Sequence, residues 1–309
     1  MPFHAGFDIL QFPEAAMDWL KANTNLVWCG YYLAPAPNRE TSSWMGRFAA
    51  LSGRWGLLPI YVGQQDPRTG RGNYQPSSIL TAQQGTADAG SACDLVSREG
   101  FPAGSFVYLD WEYGDLDGNG NDYIQAWISA VANDGRARPG IYCSHLVAPA
   151  IAGLIDSLNP TPATRFFCWR VQEADPHPFS GNVSSLPEID PAGCGFAGAQ
   201  VWQREQQAVV AFPDGAPVRS LMMDFSTSSL ADPGAPVAAF FGTRALPTDF
   251  IASHRHRRGK IAKVTRSPGS RLSRQASAKK SASTPTANTN IRRKISPGPG
   301  HARRRPRHK

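Results

Sequence analysis

Ser105-Phe106-Val107-Tyr108-Leu109-Asp110-Trp111-Glu112 is the stretch on which the reading of this chain turns. Its first five residues have the composition of a buried β-strand. Residues two apart on a strand project to the same side. Asp110 and Glu112 are therefore expected to project together, with Trp111 facing away from them. Like charges at short range raise each other's pKa, so a fold seldom keeps such a pair for stability alone. Paired carboxylates at a strand end suit acid–base chemistry on a glycosidic bond.

On either side of this stretch, strand-like and helix-like segments alternate. Strands are expected over 6–10, 26–33, 57–63, 106–112, 139–144, 165–171, 199–204 and 218–225. Helices are expected over 13–23, 42–54, 86–99, 122–132 and 147–158. Alternating units imply a parallel sheet. Eight strands in this length fit a (β/α)8 TIM-type barrel better than an open doubly wound sheet. No glycine-rich phosphate loop follows the first strand, which disfavours a dinucleotide fold. The Pro/Gly-rich stretch 173–198 reads as loop and 214–216 as a hairpin-like turn, so the last third is expected to be irregular, with one helix missing or reduced.

Charge divides the chain. Of the 32 Lys and Arg, 18 lie in 254–309, and none of the 24 Asp and Glu do, which leaves 1–253 with a net charge of −10. The expected organisation is a barrel over 1–245 and a disordered basic tail over 246–309, rich in Ser, Pro, Arg and Lys. The tail could hold an anionic polymer or nucleic acid by charge alone, although no aromatics are interleaved for base stacking. No apolar run approaches the ~20 residues of a membrane span. The N-terminus has neither a basic nor an apolar leader region, so no signal peptide is expected and the chain reads as cytoplasmic or non-classically exported. The five cysteines have no CxxC spacing and read as buried thiols. No metal and no cofactor are expected.

Barrel enzymes place their chemistry at the C-terminal ends of the strands. The residues expected there are Asp8, Gln64, Asp110, Glu112, Tyr142, Trp169, Trp202, Gln203 and Asp224. Four carboxylates from three strands would thus share one rim. The run Asp115-Leu116-Asp117-Gly118-Asn119-Gly120 matches half a calcium loop, but the position of its bidentate ligand is Ala126; a solvated turn into the next helix is the plainer reading. Asp175-Pro176-His177 reads as a surface turn. Ser144 and His145 are sequence neighbours with no nucleophile elbow around them, which disfavours a serine hydrolase.

Gly6-Phe7-Asp8, Leu109-Asp110-Trp111-Glu112, Gly140-Ile141-Tyr142-Cys143-Ser144, Val201-Trp202-Gln203 and Met223-Asp224-Phe225 resemble, in order and spacing, the strand-end motifs of family 25 glycoside hydrolases, the lysozyme-like muramidases. With Gly85-Thr86-Ala87-Asp88-Ala89-Gly90, the chain is closer still to a related bacterial glycoside-hydrolase-like barrel family of unknown function. The resemblance covers about residues 4–230. It implies retaining cleavage of a β-1,4 bond after N-acetylmuramic acid in a peptidoglycan-like polymer. Glu112 would be the general acid and Asp110 the stabiliser of developing positive charge. Asp8 and Asp224 would position substrate and tune the acid, while Tyr142, Trp202, Gln203, Gln64 and Trp169 would bind sugar. The alternative is a non-catalytic glycan-binding or scaffolding protein with a vestigial cleft. The sequence leaves the oligomeric state open.

Overall fold

The computed structural model describes residues 2–65, 80–112, 116, 118–171 and 175–237. These lie in a compact unit, Met1–Thr243; the expected tail, in the second unit Arg244–Lys309, is outside the described residues, as are Asp115 and Asp117 of the calcium-like run.

Six strands run parallel: β1 (His4–Asp8), β2 (Leu26–Tyr32), β3 (Gly56–Val62), β4 (Ser105–Trp111), β5 (Ala137–Ser144) and β6 (Arg165–Trp169). Helices cross between most of them: α1 (Met17–Asn23), the single turn α2 (Phe48–Leu51), α3 (Ala82–Glu99), α4 (Gly118–Asp134) and α5 (Ala148–Asp156). The two-residue strand β7 (His177–Pro178) leads by short 3-10 turns into the long β8 (Ala199–Ala211), and β9 (Ser220–Ser228) follows. β8 pairs in parallel with β6, and β9 joins β8 to β1, so eight strands close a barrel and β7 lies beside it on β8.

Two features differ from the sequence expectation. The helix expected over 42–54 is reduced to α2, because the stretch before it is spent on turns that hold Trp44 in the core. The irregular last third is as expected: among the described residues, no α-helix lies between β6 and β8. The last strand runs antiparallel to both its neighbours. The physical reason is length: residues 212–219 can make a hairpin, whereas a parallel return needs a crossover of a dozen or more. Asp224 is therefore not at the C-terminal end of a parallel strand. It lies midway along β9, opposite Asp8 of β1, and the reversed strand carries it to the same rim.

The lumen below that rim is filled by aromatic rings. Trp28, Tyr108 and Phe167 are fully buried, with Phe167 edge-on to both of the others at 6.2 and 6.4 Å. Glycines on adjacent strands make the room. A Cβ at Gly6 would lie 2.0 Å from the Trp28 ring, and one at Gly140 2.7 Å from the Tyr108 ring. The opposite end is closed by the segment after β9. Phe106 N–H donates to Gly234 O, Tyr108 Oη to Pro233 O, and Arg165 Nη1 to the carbonyls of Pro233 (2.6 Å) and Ala235 (2.8 Å). The Arg165 guanidinium lies 3.8 Å from the Phe106 ring centroid, and Asp232 accepts from the N–H groups of Leu57 and Gly234. No helix among the described residues is long and apolar enough to cross a membrane.

The closure makes a prediction. Arg165→Ala removes the side-chain donor from the half-buried Ala235 carbonyl and one of two donors from the Pro233 carbonyl, and should cost about 1–3 kcal/mol in urea unfolding. A change within the ordinary surface range of about 0.5 kcal/mol would show that this segment does not hold the barrel end.

Candidate functional site

The ladder register determines which side chains face the lumen. Paired residues on adjacent strands share a side, so Phe167, deep in the lumen, places Tyr142 and Val201 with it. Two residues further on, Trp169, Ser144 and Gln203 face inward at the rim. Asp110, paired with Tyr142, and Asp224, paired with Asp8, face the same space. Asp8 is 3 % exposed and Asp110 2 %. Gly30 makes room for the first of these, since a Cβ there would lie 2.6 Å from Asp8 Cβ.

The carboxylates act on one another and on their neighbours. Burial raises the Tyr142 phenol, and the charges of Glu112, Asp110, Asp8 and Asp224, in that order, raise it further. Burial likewise holds the Asp8 carboxyl well above the usual range; Asp224 adds to this, the Tyr32 hydroxyl opposes it, and Glu112 adds a smaller push. Tyr32 Oη donates to Asp8 Oδ1 at 2.8 Å, while Asp8 Oδ2 is buried with no hydrogen-bond partner among the described residues. Burial pushes Asp224 up to about 6, against hydrogen bonds from Gln207 and Gln203.

A polar chain fixes Asp224. Tyr142 Oη donates to Gln203 Oε1 (2.5 Å), and Gln203 Nε2 donates to Asp224 Oδ2 (2.8 Å). The Gln207 N–H donates to Asp224 Oδ1 (2.6 Å). Gln207 has φ 55°, a left-handed conformation unusual for a residue other than glycine, within the irregular stretch of β8 between Gln203 and Ala208. That bulge turns its amide toward the carboxylate. Sequence reasoning did not find Gln207, and nothing in a Gln-rich run marks a bulge.

The remaining expected site residues divide. Trp169 is half-buried, and its Nε1–H is buried with no partner among the described residues. Trp202 is on the other face of β8 from Gln203. Its Nε1 donates to Arg170 O (3.0 Å), the Arg204 guanidinium lies 5.4 Å from its ring, and the turn around Gly193 packs on it. Gln64 hydrogen-bonds the Asp88 carboxylate on α3, and its N–H donates to Tyr123 Oη (3.1 Å). Both residues are thus engaged outside the lumen. Trp111 also faces outward, stacked with Tyr123 at 6.1 Å. His145 Nδ1 lies 3.2 Å from Trp169 O, the carbonyl its own N–H binds. Cys29, Cys93, Cys143, Cys168 and Cys194 are buried free thiols. Chemically, the rim is a desolvated acidic cleft above an aromatic floor, with unused polar atoms on Asp8 and Trp169.

The raised Asp224 pKa has a consequence for stability. A carboxyl whose pKa is higher folded than unfolded binds more protons in the native state, so stability falls as pH rises between the two values. For Asp224 the interval runs from 3.8 to about 6. Above it the penalty for ionisation is complete, at most about 3 kcal/mol; below it there is none. Asp224→Asn should therefore raise the melting temperature above pH 6 and not below pH 3.8. The same shift at both pH values would contradict the burial of a charged Asp224.

Among proteins of known structure, the fold resembles an uncharacterized protein of B. stearothermophilus, at 20 % identity and TM-score 0.50, covering 72 % of this chain and 94 % of that one. The spore cortex lytic enzyme SleM of Clostridium perfringens aligns at 13 % identity and TM-score 0.47, over 73 % of this chain and 67 % of its own. The Tat-secreted protein Rv2525c of Mycobacterium tuberculosis aligns at 15 % identity and TM-score 0.44, over 75 % and 98 %. No curated protein sequence matches the chain. Residues 19–207, more than half of the chain, match the family described as the Rv2525c-like, glycoside hydrolase-like domain, and the chain belongs to that family.

Proposed function

We propose that the barrel is a retaining glycosidase acting on an amino-sugar polymer such as peptidoglycan. The observation that carries this reading is the convergence of Glu112, Asp110, Asp8 and Asp224 on one buried tyrosine, Tyr142, at the open end of the barrel. Glu112, half-buried at the end of β4, protonates the oxygen of the leaving sugar. Asp110 stabilises the positive charge that develops at the anomeric carbon, directly or by orienting the substrate acetamido group. Burial and Asp224 disfavour the charged form of Asp8, and in its protonated form it can donate a hydrogen bond to substrate. Asp224, fixed by Gln203 and Gln207, keeps negative charge beside it. Trp169 offers its indole N–H to a sugar hydroxyl, and Tyr142 and Gln203 shape the floor. The basic stretch 254–309, with its 18 Lys and Arg, would hold the protein on an anionic polymer, with affinity falling steeply as salt rises.

Removing a general acid costs about 10²–10⁴-fold in rate. Glu112→Gln should therefore abolish most release of reducing ends from purified peptidoglycan while leaving thermal unfolding unchanged. Undiminished release would remove Glu112 from the acid role. Retention of glycan by the wild-type protein without any release would identify a binding protein instead.

A further inference from the structure

β3 ends its pairing with β4 at Val62 opposite Asp110, two residues short of Glu112. Beyond that point β4 still presents the Asp110 carbonyl and the Glu112 N–H to the vacated side. The side chain of Gln65 fills the place. Its Nε2 donates to Asp110 O at 2.9 Å, and its Oε1 accepts from Glu112 N–H at 3.2 Å. In a parallel ladder, a residue of the neighbouring strand donates to the carbonyl of residue i−1 and accepts from the amide of residue i+1. The Gln65 amide makes the same two bonds around Trp111, and the donor and acceptor it meets fix its orientation. It is 1 % exposed. Buried amides with both ends satisfied are rigid, and one left half-satisfied is costly.

We propose that Gln65 is a positioning residue, which extends the β3–β4 ladder by one side chain and so sets the backbone from which Glu112 reaches the cleft. The inference rests on the glycosidase reading only for its kinetic consequence. It does not concern Gln64, whose bonds lie on the α3 side. The requirement is for an amide: a carboxylate could accept from Glu112 N–H but would repel the Asp110 carbonyl, and an apolar side chain could do neither.

The test compares full-length wild type with Gln65→Met, which keeps volume without the bonds, and with Gln65→Glu, which keeps the acceptor alone. The first readout is hydrogen exchange of the Glu112 amide by NMR. Gln65→Met should speed exchange by at least about tenfold, the effect of losing one hydrogen bond of about 1.4 kcal/mol, and Gln65→Glu should do so to a smaller extent, with the amides of β5 unchanged. The second is hydrolysis of peptidoglycan. A misplacement of about 1 Å can cost about 10²-fold, so kcat should fall by about that factor with KM little changed. Unaltered Glu112 exchange in both variants would overturn the proposal. So would altered exchange in an active enzyme whose kcat is unaffected. A wild type that releases no reducing ends would defeat the glycosidase reading, and the exchange readout would still decide whether Gln65 holds the Glu112 backbone.

Discussion

Asp8 and Asp224 face each other across the β1–β9 ladder, and the rest of the rim depends on that pairing. Directly opposed residues on antiparallel strands have Cβ atoms only about 4.5–5.5 Å apart, and like charges there are destabilising. The pair nevertheless sits in a barrel that could have satisfied the ladder with any apolar residues. Its surroundings are fitted to it: Gly30 clears the space beside Asp8, Tyr32 donates to one carboxyl, and Gln203 with the left-handed Gln207 holds the other. The strain at Gln207 and the raised pKa values are local costs, and they fall where four carboxylates share one desolvated space. Such costs are concentrated where a fold has a task to perform.

The desolvation has a structural source below the rim. Trp28, Tyr108 and Phe167 fill the lumen, and residues after β9 seal the far end through Arg165 and Asp232. Water thus meets the acidic residues from one side only. The same aromatic floor that gives the barrel its core lifts the Asp8 and Asp224 carboxyls, since burial is the largest cause in each case. Core packing and site chemistry are therefore one arrangement, and Tyr142 and Phe167, in contact at 4.7 Å, mark the boundary between them.

Much of this was legible in the sequence. The apolar run ending in Asp110-Trp111-Glu112 stated its own strand, its end and the outward turn of Trp111. The alternation of apolar segments with helical ones specified a barrel, and five strand-end motifs specified its relatives. The direction of β9 was not legible from its own residues, because an apolar strand around Met223-Asp224-Phe225 reads alike either way; only the short span 212–219 decides it. Strand alternation places Trp202 opposite to Gln203, so the two could not both face the cleft once Gln203 did. Gln64 and Gln65 are adjacent and chemically identical, and the strand phase is lost where the chain leaves β3, so sequence had no means to choose between them. The bulge at Gln207 depends on the partner strand, which one sequence segment does not reveal.

The central claim is that the buried Asp8 and the half-buried Asp224 form one interacting pair at the open rim. Carbon-13 NMR titration of the aspartate carboxyls in wild type and in Asp224→Asn tests it most directly. The account predicts that Asp224 titrates near 6, that Asp8 titrates well above the ordinary 3.8, and that Asp224→Asn brings the Asp8 transition down. Two independent transitions near the ordinary value of 3.8, with Asp8 indifferent to residue 224, would contradict it.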